Sequence, residues 1–235
     1  MLHLADNALV LGQRNAEWCG NGPVLEEDIA LANMSLDLIG QARMLYQHAA
    51  VVTGEGATED SLAYFRDADD FRNFTLLELP HASAVSERDY AVTIVRNFLY
   101  SAFMLLHWET LQASGDAQLA GIASKSLKEV AYHFRHSRDW LVRLGDGTAE
   151  SHERTQAALN LLMPYTAEFW AGEASTLHAP WDELVNDALK EAGLSRPPLL
   201  QAALPWGKNG QHSSHLAPLL AEMQSLARTH PQALW

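Results

Sequence analysis

The chain has 235 residues, enough to bury a substantial core, and is read as one domain over residues 1–235. Its 29 acidic residues outnumber 16 basic ones, a formal charge of −13 that argues against a nucleic-acid or anionic-membrane surface. A single cysteine, Cys19, excludes an intrachain disulfide framework and a Cys-rich zinc site, and together with the absence of a signal-peptide pattern or of about 18 successive apolar residues it leads us to expect a cytoplasmic protein.

In chain order, the first helix is predicted over residues 7 to 19 with Asp6 as N-cap, ending at Gly20-Asn21-Gly22-Pro23. Pro23 fits the first turn of a long helix running to about Val52. Along it Val24, Leu31, Leu38, Leu45 and Val52 recur every seven residues, with Leu25, Ala32, Ile39 and Tyr46 beside them. So broad an apolar face over a long helix is typical of a bundle. Residues 55 to 86 are polar and broken by Pro80, with a shorter helix expected around residues 59 to 73.

Ser86-Glu87-Arg88-Asp89 resembles a capping box and opens a second long helix to about Ala113. Gly115 ends it and Asp116 caps the next, so the two should be antiparallel neighbours. That next helix runs to Leu144, followed by one over residues 153 to 170 that Pro164 should kink, then short pieces broken by Pro180, Pro197-Pro198, Pro205 and Gly207 to Gly210. A final helix is expected at residues 216 to 229, before an aromatic terminus at Trp235. Almost no segment alternates with a period of two, so the fold class is all-α, an up-and-down helical bundle with added short helices.

A bundle of this kind can carry a di-iron carboxylate site, which requires four carboxylates and two imidazoles, two pairs arriving as Glu-x-x-His because residues three apart share a helix face. The helix after Asp116 carries Glu129, His133 and His136 one turn apart. At about 100° per residue, its apolar face contains Leu127, Val130, Ala131, Phe134, Leu141 and Leu144, with His133 on the shoulder and Glu129 and His136 toward the polar side. Val130 therefore occupies the position a bridging Glu would need. A metal reading of Glu129, His133 and His136 stays open beside a structural one, since i and i+4 side chains can chelate. On the second helix, Leu38 and Gln41 stand three apart where a Glu-x-x-His pair would be useful. His212-Ser213-Ser214-His215 follows a Gly-rich turn, and its hydroxyls are ordinary cap candidates. The basic stripe Lys125, Lys128, Arg135 and Arg143 reads as a solvated face that could meet an acidic partner or a CoA ester.

Several separated stretches carry a resemblance: Glu17-Trp18-Cys19-Gly20; Leu36-Asp37-Leu38 with Gly40-Gln41-Ala42-Arg43; Phe71-Arg72-Asn73; Lys128-Glu129 with Tyr132-His133; Arg143-Leu144-Gly145-Asp146-Gly147-Thr148; and Leu219 through Gln224. They resemble the structural, non-catalytic subunits of bacterial phenylacetyl-CoA epoxidases over nearly the whole chain. The resemblance implies a ferritin-like bundle in a multicomponent oxygenase of phenylacetate breakdown, beside a homologous sister subunit that holds the di-iron centre and a reductase that supplies electrons. It implies no cofactor in this chain. The sister's ligand positions then fall on Glu17, Leu38, Gln41, Ser101, Val130 and His133, of which only Glu17 and His133 keep a ligand type. Phe71, Arg72 and Asn73 are placed as a rim near phenylacetyl-CoA at the shared interface, and Ser213-Ser214-His215 departs from the family's Thr-Glu-His. The competing readings are a metal oxidase using Glu129, His133 and His136 with Glu17, and a binding module for aromatic acyl-CoA.

Overall fold

The computed structural model describes residues 1–170, 172–198 and 206–233; Pro205 and the aromatic terminus at Trp235 lie outside them. In chain order the helices are α1 (Leu2–Ala16), α2 (Leu25–Thr53), α3 (Glu59–Tyr64), α4 (Thr75–Glu78), α5 (Tyr90–Leu111), α6 (Ala117–Gly145), α7 (Ala149–Leu162), α8 (His178–Glu191) and α9 (Leu216–Thr229). Short 3-10 segments stand at Ala68–Asp70, Met163–Trp170, Gly172–Leu177 and Gly207–Asn209, and no strand occurs among the described residues. The class is all-α and ferritin-like. Among the described residues, no helix is long and apolar enough to cross a membrane.

The chain groups into two compact units, one of Met1–Leu79 with Pro205–Trp235 and one of Pro80–Leu204. The first is built on the hairpin of α1 and α2, with α3, α4 and α9 added to it. Gly12 lets the two long helices approach closely: a Cβ there would stand 3.2 Å from Ile39 Cγ1 and 3.4 Å from Leu38 Cβ. On α2 the middle of the seven-residue line, Leu31, Leu38 and Leu45, is buried, whereas its ends, Val24 and Val52, are exposed. Helix α2 begins two residues after Pro23, so that proline precedes the first turn rather than joining it.

Asp6 is not a cap. Helix α1 starts at Leu2, which places Asp6 inside it with no exposure. The single helix expected over residues 59 to 73 is instead α3, capped by Thr58, and a separate 3-10 turn at Ala68–Asp70. Two short pieces let Arg66 and Phe71 turn inward, which one straight helix would prevent.

The second unit rests on α5 and α6, packed as the expected antiparallel pair, with α7 and α8 against α5. Asp116 caps α6 by accepting a hydrogen bond from the Leu119 amide at 3.0 Å. The cap of α5 is Asp89, which accepts from the Ala91 amide, and not Ser86. Asp89 is buried and also bound by Arg154, which holds it at the helix start in place of the serine three residues earlier. Helix α7 starts four residues earlier than expected because Thr148 and Ser151 form a reciprocal capping box, and it ends before Pro164 in a 3-10 turn. Phe103, Phe169, Trp170 and Trp181 pack edge-to-face and stacked, and the Trp181 indole donates to the Leu99 carbonyl at 3.1 Å.

Candidate functional site

Three groups of buried polar side chains stand out, one on the α5–α6 pair and two in the first unit.

The buried stripe of α6 runs through Ile122, Ser126, Val130, His133, Ser137 and Leu141. It is rotated from the face that apolar residues alone suggest: Ala131 is exposed, and His133 lies in the middle rather than on the shoulder. The difference arises because two serines and a histidine occupy positions on the stripe, and small hydroxyls can be buried when they bond to the helix's own carbonyls. Ser137 does so, donating to the His133 carbonyl at 2.7 Å. Across the pair, Ser101 of α5 and Ser137 stand with their hydroxyl oxygens 3.3 Å apart. Ser126 Oγ is buried with no hydrogen-bond partner.

Val130, Ser101 and His133 are thus all buried on this pair, and Ser101 reaches α6 one turn beyond His133. Glu129, by contrast, lies 3.8 Å from Lys125 on the outer side of α6, and the Tyr132 ring stands 6.0 Å from that of His136. Among the described residues, no group of three or more His, Cys, Asp or Glu side chains is arranged to hold a metal ion.

In the first unit Leu38 and Gln41 are buried on α2, while Glu17 follows α1 and pairs with Arg14 at 2.6 Å. Arg14 in turn donates through Nε and Nη2 to the Glu78 carbonyl at 3.1 and 2.6 Å. The Glu78 carboxylate is wholly buried and accepts from Asn73 Nδ2 at 3.0 Å and from the Ser213 amide at 2.5 Å. His212 Nδ1 stands 2.8 Å from its Oε2, and His212 Nε2 stands 3.0 Å from the Phe71 carbonyl. Both ring nitrogens therefore face acceptors, an arrangement that a shared proton between imidazole and carboxylate satisfies.

The second buried carboxylate of this unit is Asp6. It accepts from the Tyr46 hydroxyl at 2.5 Å, from the Arg72 amide at 2.8 Å and from the guanidinium of Arg66, which also lies over the Phe71 ring at 4.4 Å. Burial first, and then the negative charge of Asp6, push the Tyr46 phenol well above its ordinary range. Burial works against the Arg66 guanidinium, but the hydrogen bond and charge of Asp6 outweigh it and hold its pKa above the usual value.

The expected rim falls between these two carboxylates. Phe71 and Asn73 are fully buried, and Arg72 folds back to donate to the carbonyls of Asp69 and Phe71, each at 2.6 Å. Sequence reasoning missed Asp6 and Glu78 as anchors. A usable signal existed for Glu78, a lone acid in the apolar run Leu76-Leu77-Glu78-Leu79; for its histidine partner, 134 residues away, none did.

Comparison with known proteins adds two findings. The family model described as phenylacetic acid catabolic protein matches residues 1–235. The chain is also similar to one of the subunits of the 1,2-phenylacetyl-CoA epoxidase of Escherichia coli (strain K12), with 43% identity over 248 residues, covering 100% of this chain and 97% of that relative.

Proposed function

We propose, from the premise that this chain belongs to the phenylacetic acid catabolic protein family, that it is the non-catalytic subunit of a phenylacetyl-CoA epoxidase. In this reading it binds and stabilises a homologous sister subunit that holds the di-iron centre, within a cytoplasmic complex that also includes a reductase. The aromatic thioester is bound and epoxidised on the sister's side, with phenylacetyl-CoA approaching the shared interface.

The observation that carries this reading is the content of the ligand positions. A di-iron bundle site needs anionic bridges; here Leu38, Gln41, Ser101 and Val130 supply none, Glu17 is committed to Arg14, and Ser101 spends its hydroxyl on Ser137. The residues present do not fit an iron pair. His133 is read as a remnant of the ligand set, and its stripe now serves helix packing.

The test is co-expression with the adjacent oxygenase genes followed by purification through this chain. The expected result is co-purification of an iron-loaded sister subunit, while this chain alone, loaded anaerobically with ferrous iron, retains no stoichiometric metal. Failure to recover an iron-bearing partner, or retention of an iron pair by the isolated chain, would overturn the reading.

A further inference from the structure

Helix α9 is tied to α3 by polar side chains. Gln224 and Arg228, four residues apart and so on one face of α9, donate to the carbonyls with which α3 and the turn after it end. Gln224 Nε2 stands 3.1 Å from both the Ala63 and the Arg66 oxygens, while Arg228 reaches the Tyr64 oxygen through Nε at 3.1 Å and the Arg66 oxygen through Nη2 at 2.8 Å. A helix end leaves such carbonyls without intrahelical partners, so these bonds fix the spacing of the two elements. Beside them the helices stand apart. Asp60, Tyr64 and Phe65 on one side and Met223, Leu226 and His230 on the other enclose a cleft of about 600 Å³, the scale of a small-molecule site. Both walls belong to the first unit.

The lining sets the class of ligand. Phe65, 42% exposed, and Leu226, 56% exposed, supply apolar walls with Met223. At one edge the hydroxyls of Thr58 and Ser61 are committed to capping α3. The Asp60 carboxylate, the Tyr64 hydroxyl and the His230 ring, by contrast, make no hydrogen bond or ion pair among the described residues. Burial first, and then the charges of Asp60 and Glu59, push the Tyr64 phenol above its ordinary range, so it stays a neutral hydroxyl at physiological pH. Among the described residues no lysine or arginine lines the cleft. The arginines of the neighbouring elements are each paired with another acid: Arg228 with Asp67 at 3.0 Å, Arg43 with Glu59 at 3.0 Å, and Arg66 with Asp6. Asp60 therefore keeps its charge unmatched beside two aromatic side chains. An anionic head group would be repelled there, whereas an ammonium group gains both the carboxylate and the aromatic rings.

We propose that the α3–α9 cleft binds a small organic cation of the aryl-alkyl-amine class, its ammonium group held by Asp60 and the Tyr64 oxygen and its apolar body lying between Phe65, Met223 and Leu226. The same lining turns away acyl-CoA esters, whose phosphates would meet an unmatched carboxylate and no cation. The site goes beyond the subunit reading and does not depend on it.

The test titrates the full chain by calorimetry with phenylbutylamine, with phenylbutanol and phenylbutyrate as neutral and anionic counterparts of similar size, and with phenylacetyl-CoA. The amine is expected to bind at least tenfold more tightly than the alcohol, and both anions more weakly than either. Asp60→Asn should lower the affinity for the amine at least fivefold while leaving that for the alcohol unchanged, with helical content by circular dichroism intact because the side chain is exposed. Ala227→Phe, which places a ring in the cleft, should weaken amine and alcohol alike. Independently of any variant, hydrogen exchange of the wild-type chain with the amine bound should show added protection over residues 58 to 65 and 223 to 230. Equal binding of amine and phenylbutyrate, undiminished amine affinity in Asp60→Asn, protection confined to other stretches, or no binding of the amine at millimolar concentration would each overturn the assignment. None of these results would alter the recovery of an iron-bearing sister subunit, on which the subunit reading stands or falls.

Discussion

His212 Nδ1 stands 2.8 Å from the carboxylate of Glu78, a residue with no solvent exposure. The turn before α9 is thereby anchored to α4, because the Ser213 amide binds the other oxygen of the same carboxylate. Removing the imidazole would leave a buried acid short of a partner, and His212→Ala is expected to lower stability by about 3–5 kcal/mol. His212→Gln, which can still donate to the carboxylate, should recover part of that loss. Urea denaturation of the two variants checks the order.

Two glycines should respond differently to the same substitution. At Gly207 an added Cβ would lie 2.0 Å from the Asn73 carbonyl oxygen, a backbone atom that cannot swing away. Gly207→Ala is expected to cost about 3 kcal/mol or to displace the turn, visible as new proteolytic cleavage near residues 206 to 215. At Gly12 the nearest atom is the Ile39 side chain at 3.2 Å, which can yield, and alanine adds about 1 kcal/mol of helix propensity. Gly12→Ala should therefore be close to neutral in thermal melting.

The buried phenols give an alkaline limit to stability. Burial and the Asp6 charge raise Tyr46, and burial alone raises Tyr100, both from an ordinary value of 10.0. A folded-state pKa above the unfolded one means that above pH 10 the unfolded chain has released protons the folded chain still holds. Their contribution is fully present below that pH and is lost as pH rises beyond it. Tyrosinate absorbance should show Tyr46 and Tyr100 silent until the protein unfolds, and Tyr46→Phe should remove its own delayed signal.

Val130 is 2% exposed on the α6 stripe. Val130→Glu is expected to cost about 3–5 kcal/mol, the scale of an uncompensated buried charge. Ferrous iron should not restore the lost stability, because among the described residues no group of three or more His, Cys, Asp or Glu side chains is arranged to hold it. Recovery of the melting temperature on adding iron would show that the remaining donors suffice after all.

How far the sequence could be read depended on how local the determining interaction was. Helix α9 begins and ends at the expected residues, Leu216 and Thr229, and Asp116 caps α6 as its spacing suggested, since apolar period and capping act within a few residues. Asp6 was legible as a polar residue but not as a buried one: its role depends on Tyr46 and Arg66, 40 and 60 residues further on. The same holds for Asp89, chosen over Ser86 as the α5 cap through its contact with Arg154. At the ligand positions the residue types were visible from spacing and resemblance. That the Ser101 and Ser137 hydroxyls meet was not, because it requires the pairing of α5 with α6.

The first unit joins residues up to Leu79 with residues from the far end of the chain, so its order of assembly is constrained by synthesis. Glu78 emerges from the ribosome well before His212 and Ser213, and 134 residues at about 5–20 per second amount to a wait on the order of ten seconds. Throughout that interval a carboxylate destined for the interior has neither its imidazole nor its amide. The α1–α2 hairpin must then persist as an unfinished, partly hydrated intermediate while residues 80 to 204 are made. A nascent chain stalled before residue 206 should expose this stage to a protease, and chaperone dependence is the cellular phenotype expected of it.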